Sequence, residues 1–211
     1  MLFDDPTDRG YELDRLKALS DGVFAIVMTL LVLELRIPEV ARLDAEKELL
    51  RGLVLLLPKF IAFIVTFLIS GLYWVVHTRF IRHIKSYDRR LLGINLLLLL
   101  SVSLFPFSAG MIGNYPNYST SWIAYAVNQF FVGVFAALLW RHALKHNLTG
   151  SEVTPQLAKY VQARTLVIPL ACLLSIPLAL VNPLTAGIAF WIVPFAMKII
   201  ERKLAPKQAQ L

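Results

Sequence analysis

The sequence predicts an all-α integral membrane protein with six transmembrane helices per subunit. Of its 211 residues, 57% are hydrophobic and 17% are charged, and the mean hydropathy is +0.65. These values lie outside the range of ordinary soluble domains. Residues 91–140 and 165–197 contain no Asp, Glu, Lys or Arg. A soluble core seldom contains such runs, whereas adjacent membrane spans do.

Turn-forming and charged segments divide the apolar sequence into spans. We predict helices at residues 17–35, 53–77, 91–112, 121–141, 163–181 and 184–200, each within a few residues. The segment NYPNYST (114–120) supplies the turn after the third span, and Asn182-Pro183 gives a tight hairpin between the last two. Prolines are expected to interrupt these last two spans, at Pro169, Pro177, Pro183 and Pro194.

The charged residues indicate how the domain is organised. We predict an N-terminal segment at residues 1–14, a six-helix transmembrane domain at 15–200 and a C-terminal tail at 201–211. The first segment is acidic and lacks the basic start of a secretory signal, so the first apolar helix is expected to remain in the mature protein.

The distribution of basic residues predicts the orientation. With these spans, 16 Lys and Arg residues lie on the side that carries both termini and 4 lie on the other side. This bias places the N- and C-termini in the cytoplasm. The net charge of +7 is explained by these short loops, so no nucleic-acid partner is expected.

The first helix, within RLKALSDGVFAIVMTLLVLEL (15–35), has an unusual pattern. Asp21 and Glu34 are separated by twelve residues, which rise about 18 Å as a helix, whereas a bilayer core is about 30 Å thick. At about 100° per residue, Ser20 and Asp21 lie on the face opposite one apolar stripe. That stripe comprises Leu19, Gly22, Ile26, Thr29, Leu30 and Leu33.

The polar face of this helix requires partners other than lipid. Trp74 and His77 share one face of the second span, and Asn95 lies near the start of the third, at matching depth. Each could hydrogen-bond the Asp21 carboxylate, which predicts a clamp between helices. On pattern alone, the apolar stripe is compatible with ordinary packing as well as with a pore lining.

The segment Arg15-Leu16-Lys17-Ala18-Leu19-Ser20-Asp21 resembles the Arg-x-x-x-Phe-Ser-Asp signature of the endosomal/lysosomal potassium channel family. It departs from the signature at Leu19, where the family has Phe. Trp74 with His77 and the run at 93–107 are similar to the family's second and third helices. The resemblance covers residues from about 12 to 200 and implies the bacterial type, with one six-helix unit per chain.

The family resemblance implies a homotetramer around a central pore that is lined by the first helix. Its aliphatic constriction would be formed by Ile26, followed by Leu30 and Leu33, with the Thr29 hydroxyl near the narrow part. An inter-helix network would comprise Arg15, Ser20, Asp21, Trp74, His77 and Asn95.

The same resemblance implies a bacterial plasma-membrane channel with modest preference for K⁺ over Na⁺. Its partners would be other copies of the chain, membrane lipids, K⁺ and other monovalent cations. We expect no cofactor and no metal other than the permeating K⁺.

Two other functional classes are alternatives to a channel. A secondary transporter or small-solute permease would need a polar site near the bilayer midplane, for which Lys59, Asn128 and Gln129 are the main candidates. A membrane enzyme is disfavoured because the sequence has no H-E-x-x-H, no G-x-S-x-G and a single cysteine, Cys172. The protein is therefore predicted not to be an enzyme.

Overall fold

The protein is almost entirely helical. The computed structural model describes residues 6–37 and 45–206. Helix α1 (Pro6–Leu30) continues into a 3₁₀ turn (Leu31–Glu34). The other helices are α2 (Ala45–Leu55), α3 (Leu57–Ile81), α4 (Arg89–Ser103), α5 (Phe105–Asn114), α6 (Ser119–Lys145), α7 (Pro155–Val181), α8 (Pro183–Ala186) and α9 (Ile188–Leu204).

Six segments are long and apolar enough to cross a membrane. They are Leu13–Glu34, Leu57–Ile81, Arg89–Asn114, Ser119–Lys145, Pro155–Val181 and Pro183–Leu204. Each overlaps one predicted span, so the prediction of a six-helix membrane protein is confirmed.

Most of helix α2 was not predicted, since only its last three residues fall within the predicted span 53–77. We expected a loop between the first two spans; residues 38–44 of that loop lie outside the described residues, but Ala45–Leu55 is helical. Glu46 and Glu48 stand in its first turn, where acidic side chains favour a helix. Its leucines (Leu49, Leu50, Leu53 and Leu55) are exposed, so α2 does not contribute to the buried core.

A new helix begins at Pro183 as expected, but the other breaks at prolines fall at unexpected places. Pro58 and Pro106 each stand near the start of a new helix, after breaks at Leu56 and Leu104. A proline cannot donate to the preceding turn and clashes with the carbonyl four residues earlier, which accounts for these breaks. In contrast, α7 runs without a break through Pro169 and Pro177, and α9 continues through Pro194. The predicted interruptions at these three prolines are therefore wrong.

Helix α6 lies at the centre of the subunit. It packs against α4, α5 and α7, while α9 packs on the other side of α7. Helix α1 lies against α3, α4 and α5. The largest fully buried side chains include Trp140, Phe24, Phe80 and Phe105. Most of the outward-facing side chains are aliphatic or aromatic, as expected of a surface that contacts lipid or other subunits.

Two loops are fastened together at the end of the bundle where α1 begins, which we call the basic end. The loop after α3 and the loop after α6 pair as an isolated bridge between Ile84 and Thr149. The Lys85 amide donates to the Leu148 carbonyl at 2.9 Å, and the Gly150 amide donates to the His83 carbonyl at 2.9 Å. These hydrogen bonds hold the loop after α3 against the loop after α6.

Asp88 joins the same region to α4 and α6. Its carboxylate accepts from the Leu91 amide at 2.7 Å, which caps α4, and contacts the His142 Nε2 at 2.8 Å. Burial alone would raise the pKa of the Asp88 carboxyl, but the Leu91 amide and the His142 imidazole outweigh burial and hold this pKa below its ordinary value. The ionised carboxylate therefore stabilises the folded state.

Replacing Asp88 separates the contribution of the cap from that of the charge. Asp88→Ala removes both, and we expect the free energy of unfolding to fall by about 1–3 kcal/mol. Asp88→Asn retains a capping oxygen and should lose less. Because the native pKa is depressed, the charge contribution is present above the unfolded pKa and is lost as the pH falls through the native pKa. Thermal unfolding in detergent at several pH values measures both effects. If the wild type remained more stable than Asp88→Asn in acid, the stabilisation could not be assigned to the charge of Asp88.

Candidate functional site

The apolar stripe of α1 faces away from its own subunit. Its outer four residues, Ile26, Thr29, Leu30 and Leu33, lie along α1 and the 3₁₀ turn that follows it. The exposed fractions are 59% for Ile26, 41% for Leu30 and 66% for Leu33, and Thr29 is exposed between them. The Thr29 hydroxyl donates to the Ile26 carbonyl at 2.8 Å, so its proton is used within the helix. The stripe therefore presents mainly methyl groups and backbone-bonded polar atoms.

The other side of α1 is buried in the subunit core. Phe24, Val27 and Leu31 are almost fully buried and pack against residues of α3, α4 and α5. They recur every three or four residues, as one face of a helix does. The stripe that carries Ile26 is thus exposed because the rest of the helix is already in contact with its own bundle.

A chain of buried hydrogen bonds joins α1, α3 and α4 near the basic end. His77 Nε2 lies 2.9 Å from Asn95 Oδ1, Asn95 Nδ2 donates to Ser20 Oγ at 3.1 Å, and Ser20 Oγ donates to the Leu16 carbonyl at 2.9 Å. His77, Asn95 and Ser20 are at most 3% exposed. We call these four groups the relay.

The donor and the acceptor of each hydrogen bond in the relay can be assigned. Because Ser20 uses its only proton on Leu16, it must accept from the Asn95 amide nitrogen. The Asn95 oxygen then accepts from His77, which places the proton of the neutral imidazole on Nε2. The ring of His77 also packs against Phe24 and Phe80, at centroid distances of 5.6 and 5.1 Å.

Asp21 has a different environment from its neighbour Ser20. Its carboxylate accepts a hydrogen bond from Trp74 Nε1 at 2.8 Å, and both residues are exposed in the subunit. The prediction that His77 and Asn95 also bond to Asp21 is wrong, because their hydrogen bonds go to each other and to Ser20. The predicted inter-helix contacts therefore occur as two separate connections.

Arg15 is the remaining residue of the predicted inter-helix network. It lies on α1 six residues before Asp21, and its side chain is exposed. It precedes Leu16, the residue whose carbonyl ends the relay.

The outer end of α1, opposite the basic end, contains a contact that the sequence analysis missed. Glu34 and Lys59 line one small recess together with Gly110 and Asn114. A Cβ atom at Gly110 would overlap the Glu34 carboxylate, so the carboxylate lies directly over this glycine. Gly110 within an apolar helix was the available signal, because such a glycine often marks a close approach.

Polar residues also meet inside the subunit, between α3 and α6. Thr66 and Tyr125 hydroxyls are 3.2 Å apart, and Tyr73 donates to the Gln129 carbonyl at 3.0 Å. Ser70 and Gln129 are completely buried beside them. Asn128 is only partly buried, and Lys59 lies at the outer recess. The three candidate transporter residues therefore do not share one location.

Comparisons with known proteins identify the family. Residues 15–106 match the family described as endosomal/lysosomal potassium channel TMEM175. The chain is 32% identical over 180 residues to a potassium channel of Streptomyces collinus. The aligned region covers 82% of this chain and 86% of the relative. The chain belongs to the TMEM175 family.

Further comparisons agree with this TMEM175 assignment. A potassium channel of Chamaesiphon minutus is 33% identical over 138 residues, covering 63% of this chain and 66% of the relative. The crystal structure of a lysosomal potassium-selective channel TMEM175 homolog from the same species superposes with a TM-score of 0.76. That superposition covers 90% of this chain and 98% of the homolog at 24% identity, so it supports the fold alone. The suspected family resemblance is confirmed.

The relay and the Asp21–Trp74 pair should contribute differently to the stability of this TMEM175 chain. Asn95→Ala leaves buried groups of His77 and Ser20 without partners and removes packed atoms, so we expect the free energy of unfolding to fall by about 2–4 kcal/mol. Asp21→Asn retains an acceptor for Trp74 at an exposed position and should cost less than about 1 kcal/mol. Denaturant unfolding in detergent compares the two, and equal losses would contradict the dominant role of the relay.

Proposed function

We propose that this TMEM175 family member is a homotetrameric potassium channel that conducts passively. Its pathway would run along the apolar stripes of four copies of α1. The observation that supports this most directly is the exposure of Ile26, Leu30 and Leu33 on a helix whose other face is packed into its own subunit. The potassium-channel names of two bacterial relatives supply the ion class.

The central position proposed for α1 is supported by its contacts with the rest of the subunit. Three connections fix its rotation: the apolar packing around Phe24, the relay to α3 and α4, and the Asp21–Trp74 hydrogen bond. A helix fixed on one side can present the same side chains to an axis in every copy. Lipid then need not surround the short apolar segment between Asp21 and Glu34.

Conduction would depend on a dry constriction. The sequence contains no T-V-G-Y-G segment, so ions cannot be coordinated by the carbonyl filter that such a segment forms. A ring of Ile26 side chains would instead exclude water when narrow, with Leu30 and Leu33 forming further rings towards the outer end. Na⁺ loses more hydration free energy than K⁺ at such a ring, which gives a modest preference for K⁺. No cofactor takes part in this mechanism.

The acidic residues near the two ends of the proposed pathway would attract cations unequally. Glu34 lies at the outer end, but it is partly buried against Gly110 and lines the same recess as Lys59. Its attraction for cations is therefore moderated by a nearby positive charge. At the basic end, the Lys17 ammonium donates to the Asp14 carboxylate at 3.0 Å. The other acidic residues of the N-terminal segment would also enrich cations at this mouth, but their side chains lie outside the described residues.

The proposed topology places the basic end in the cytoplasm of a bacterial cell. Exposed Arg79, Arg82, Lys85, Arg89 and Arg90 all lie at this end. Their concentration on one side follows the positive-inside pattern of plasma-membrane proteins. Both chain termini would then be cytoplasmic.

Replacing Ile26 tests the constriction. Ile26→Asn introduces a polar ring, which should weaken dewetting, raise K⁺ flux and reduce discrimination against Na⁺. A reduction of the barrier by about 1.4 kcal/mol corresponds to an increase of about tenfold in rate. The measurement is K⁺ and Na⁺ flux from liposomes that contain the purified protein.

Ile61→Asn is the matched control, because Ile61 on α3 is also 59% exposed. It should leave flux unchanged. Equal fluxes in wild type and Ile26→Asn would overturn the constriction. The permease alternative would use the buried polar residues between α3 and α6; Gln129→Leu should abolish transport in that case and leave channel flux intact.

Chemical crosslinking tests the assembly. Cys172, the single cysteine, is buried, and Cys172→Ser provides a thiol-free background. In that background, Ile26→Cys should give covalent dimers with a short bifunctional maleimide, because the stripes of neighbouring copies meet at the axis. Ile61→Cys, with the same exposure, should give far fewer dimers. Equal crosslinking at both positions, measured on denaturing gels, would argue against a shared axis.

A further inference from the structure

The Glu34 carboxylate lies at the boundary between the apolar stripe and the core-facing side of α1. Glu34 directly follows Leu33, which is 66% exposed, and stands three residues after Leu31, which is completely buried. It is half-buried and is the last residue of the 3₁₀ turn. Rotation about its side-chain bonds alone can therefore move its charge between the interior of the subunit and the stripe.

The carboxylate is kept in its present position by packing alone. It lies over Gly110 of α5, in the recess that also contains Lys59 and Asn114. Among residues 6–37 and 45–206, it has no hydrogen bond and no ion pair. The Asn114 amide donates to the Gly110 carbonyl instead, at 2.8 Å. Because no donor compensates for the lost hydration of the carboxylate, it gains little from this position.

The absence of a side chain at Gly110 provides the space for the carboxylate. A Cβ atom at this position would lie 2.7 Å from Cδ of Glu34, so the two could not coexist as they stand. The group that would have to move is the far end of a flexible side chain, which can turn away without displacing a helix. At Gly113, in contrast, a Cβ atom would meet the backbone of Lys59, at 3.1 Å. A small side chain at Gly110 would thus move a charge and little else.

We infer that Gly110 sets the electrostatic potential at the outer end of the proposed pathway, because it accommodates the Glu34 carboxylate away from the conducting ions. This inference rests on the proposed function as a tetrameric channel. With a larger residue at position 110, one carboxylate from each copy turns towards the pathway, where the four together raise the local concentration of cations. Gly110 is a positioning residue, since it acts on conduction through Glu34 and does not contact the ion.

Carbodiimide coupling tests the displacement of Glu34 without any flux measurement. Gly110→Ala should increase several-fold the rate at which Glu34 of the purified protein couples to an added amine, because its carboxylate becomes exposed. The exposed Glu201 on α9 provides an internal reference. Gly93→Ala is the matched control, because a Cβ atom at Gly93 meets nothing within 4 Å. An unchanged coupling rate in Gly110→Ala, measured by mass spectrometry of peptides, would overturn the inference.

Potassium flux from liposomes tests the effect on conduction. Gly110→Ala should raise K⁺ flux by about threefold to tenfold at an ionic strength of about 0.01 M, and the difference should disappear at about 1 M, where the screening length is about 3 Å. In a Glu34→Gln background, Gly110→Ala should have no effect, because no charge is moved. Arg36 and Lys59 are the same in every variant, so these comparisons report the position of the Glu34 charge.

The outcomes separate this inference from the proposed function. Absence of K⁺ flux in the wild type would contradict the proposed function, whereas wild-type flux that Gly110→Ala leaves unchanged at low ionic strength overturns the inference alone. Glu34→Gln provides a test even if Gly110→Ala does not fold. Because the wild-type carboxylate lies away from the pathway, this single variant should change the flux at low ionic strength by less than about twofold. A several-fold loss would show that Glu34 already acts on the ions, and the inference would be wrong.

Discussion

The rotation of α1 depends on the buried relay from His77 through Asn95 to Ser20. Adjacent residues of a helix differ by about 100° in direction, so the position of Ser20 determines which side chains face outward. In a membrane, water does not compensate for a missing hydrogen bond, and the relay therefore favours one rotation strongly. Ile26 is exposed in this structure because Ser20 and Phe24 are not.

Helix α1 combines firm attachment with a largely uncovered surface. In its apolar span 28% is buried within the subunit, the same share as in the α3 span, compared with 44% in the spans that contain α4, α6 and α7 and 17% in the last span. Its polar attachment is concentrated near the basic end, whereas its outer part is held by Leu31 and by the contact of Glu34 with Gly110. The exposed stripe is therefore supported at both ends, while its centre remains exposed within its own subunit among the described residues.

The sequence predicted the features that depend on local pattern. Long apolar runs gave the six spans, and helical periodicity separated the Ile26 stripe from the polar side of α1. Periodicity did not distinguish Ser20 from Asp21, because both lie on the back of the helix. Only the packing of α3 and α4 buries Ser20 with Asn95 and leaves Asp21 to Trp74 at the surface.

The remaining differences arise from tertiary context. Helix α2 was missed because short polar and apolar segments next to a span do not reveal whether the helix continues. Pro169 and Pro177 remain within α7, since neighbouring helices can support a proline-containing segment that would break in isolation. The contact between Glu34 and Gly110 joins positions distant in sequence, so the isolated glycine could indicate a close approach but could not identify Glu34 as the group that approaches.

The 3₁₀ turn at Leu31–Glu34 makes the helical winding at the outer end of α1 different from that of the rest of the helix. A 3₁₀ helix has three residues per turn, so side chains three positions apart are eclipsed, and Leu33 stacks almost directly above Leu30. Its hydrogen bonds are also less well aligned than those of an α-helix. Rewinding this turn to α-helical geometry would swing Leu33 sideways by about 20° for each residue converted. A small change in winding, without displacement of the rest of the helix, would thus be sufficient to alter the width of the outermost ring of the proposed channel.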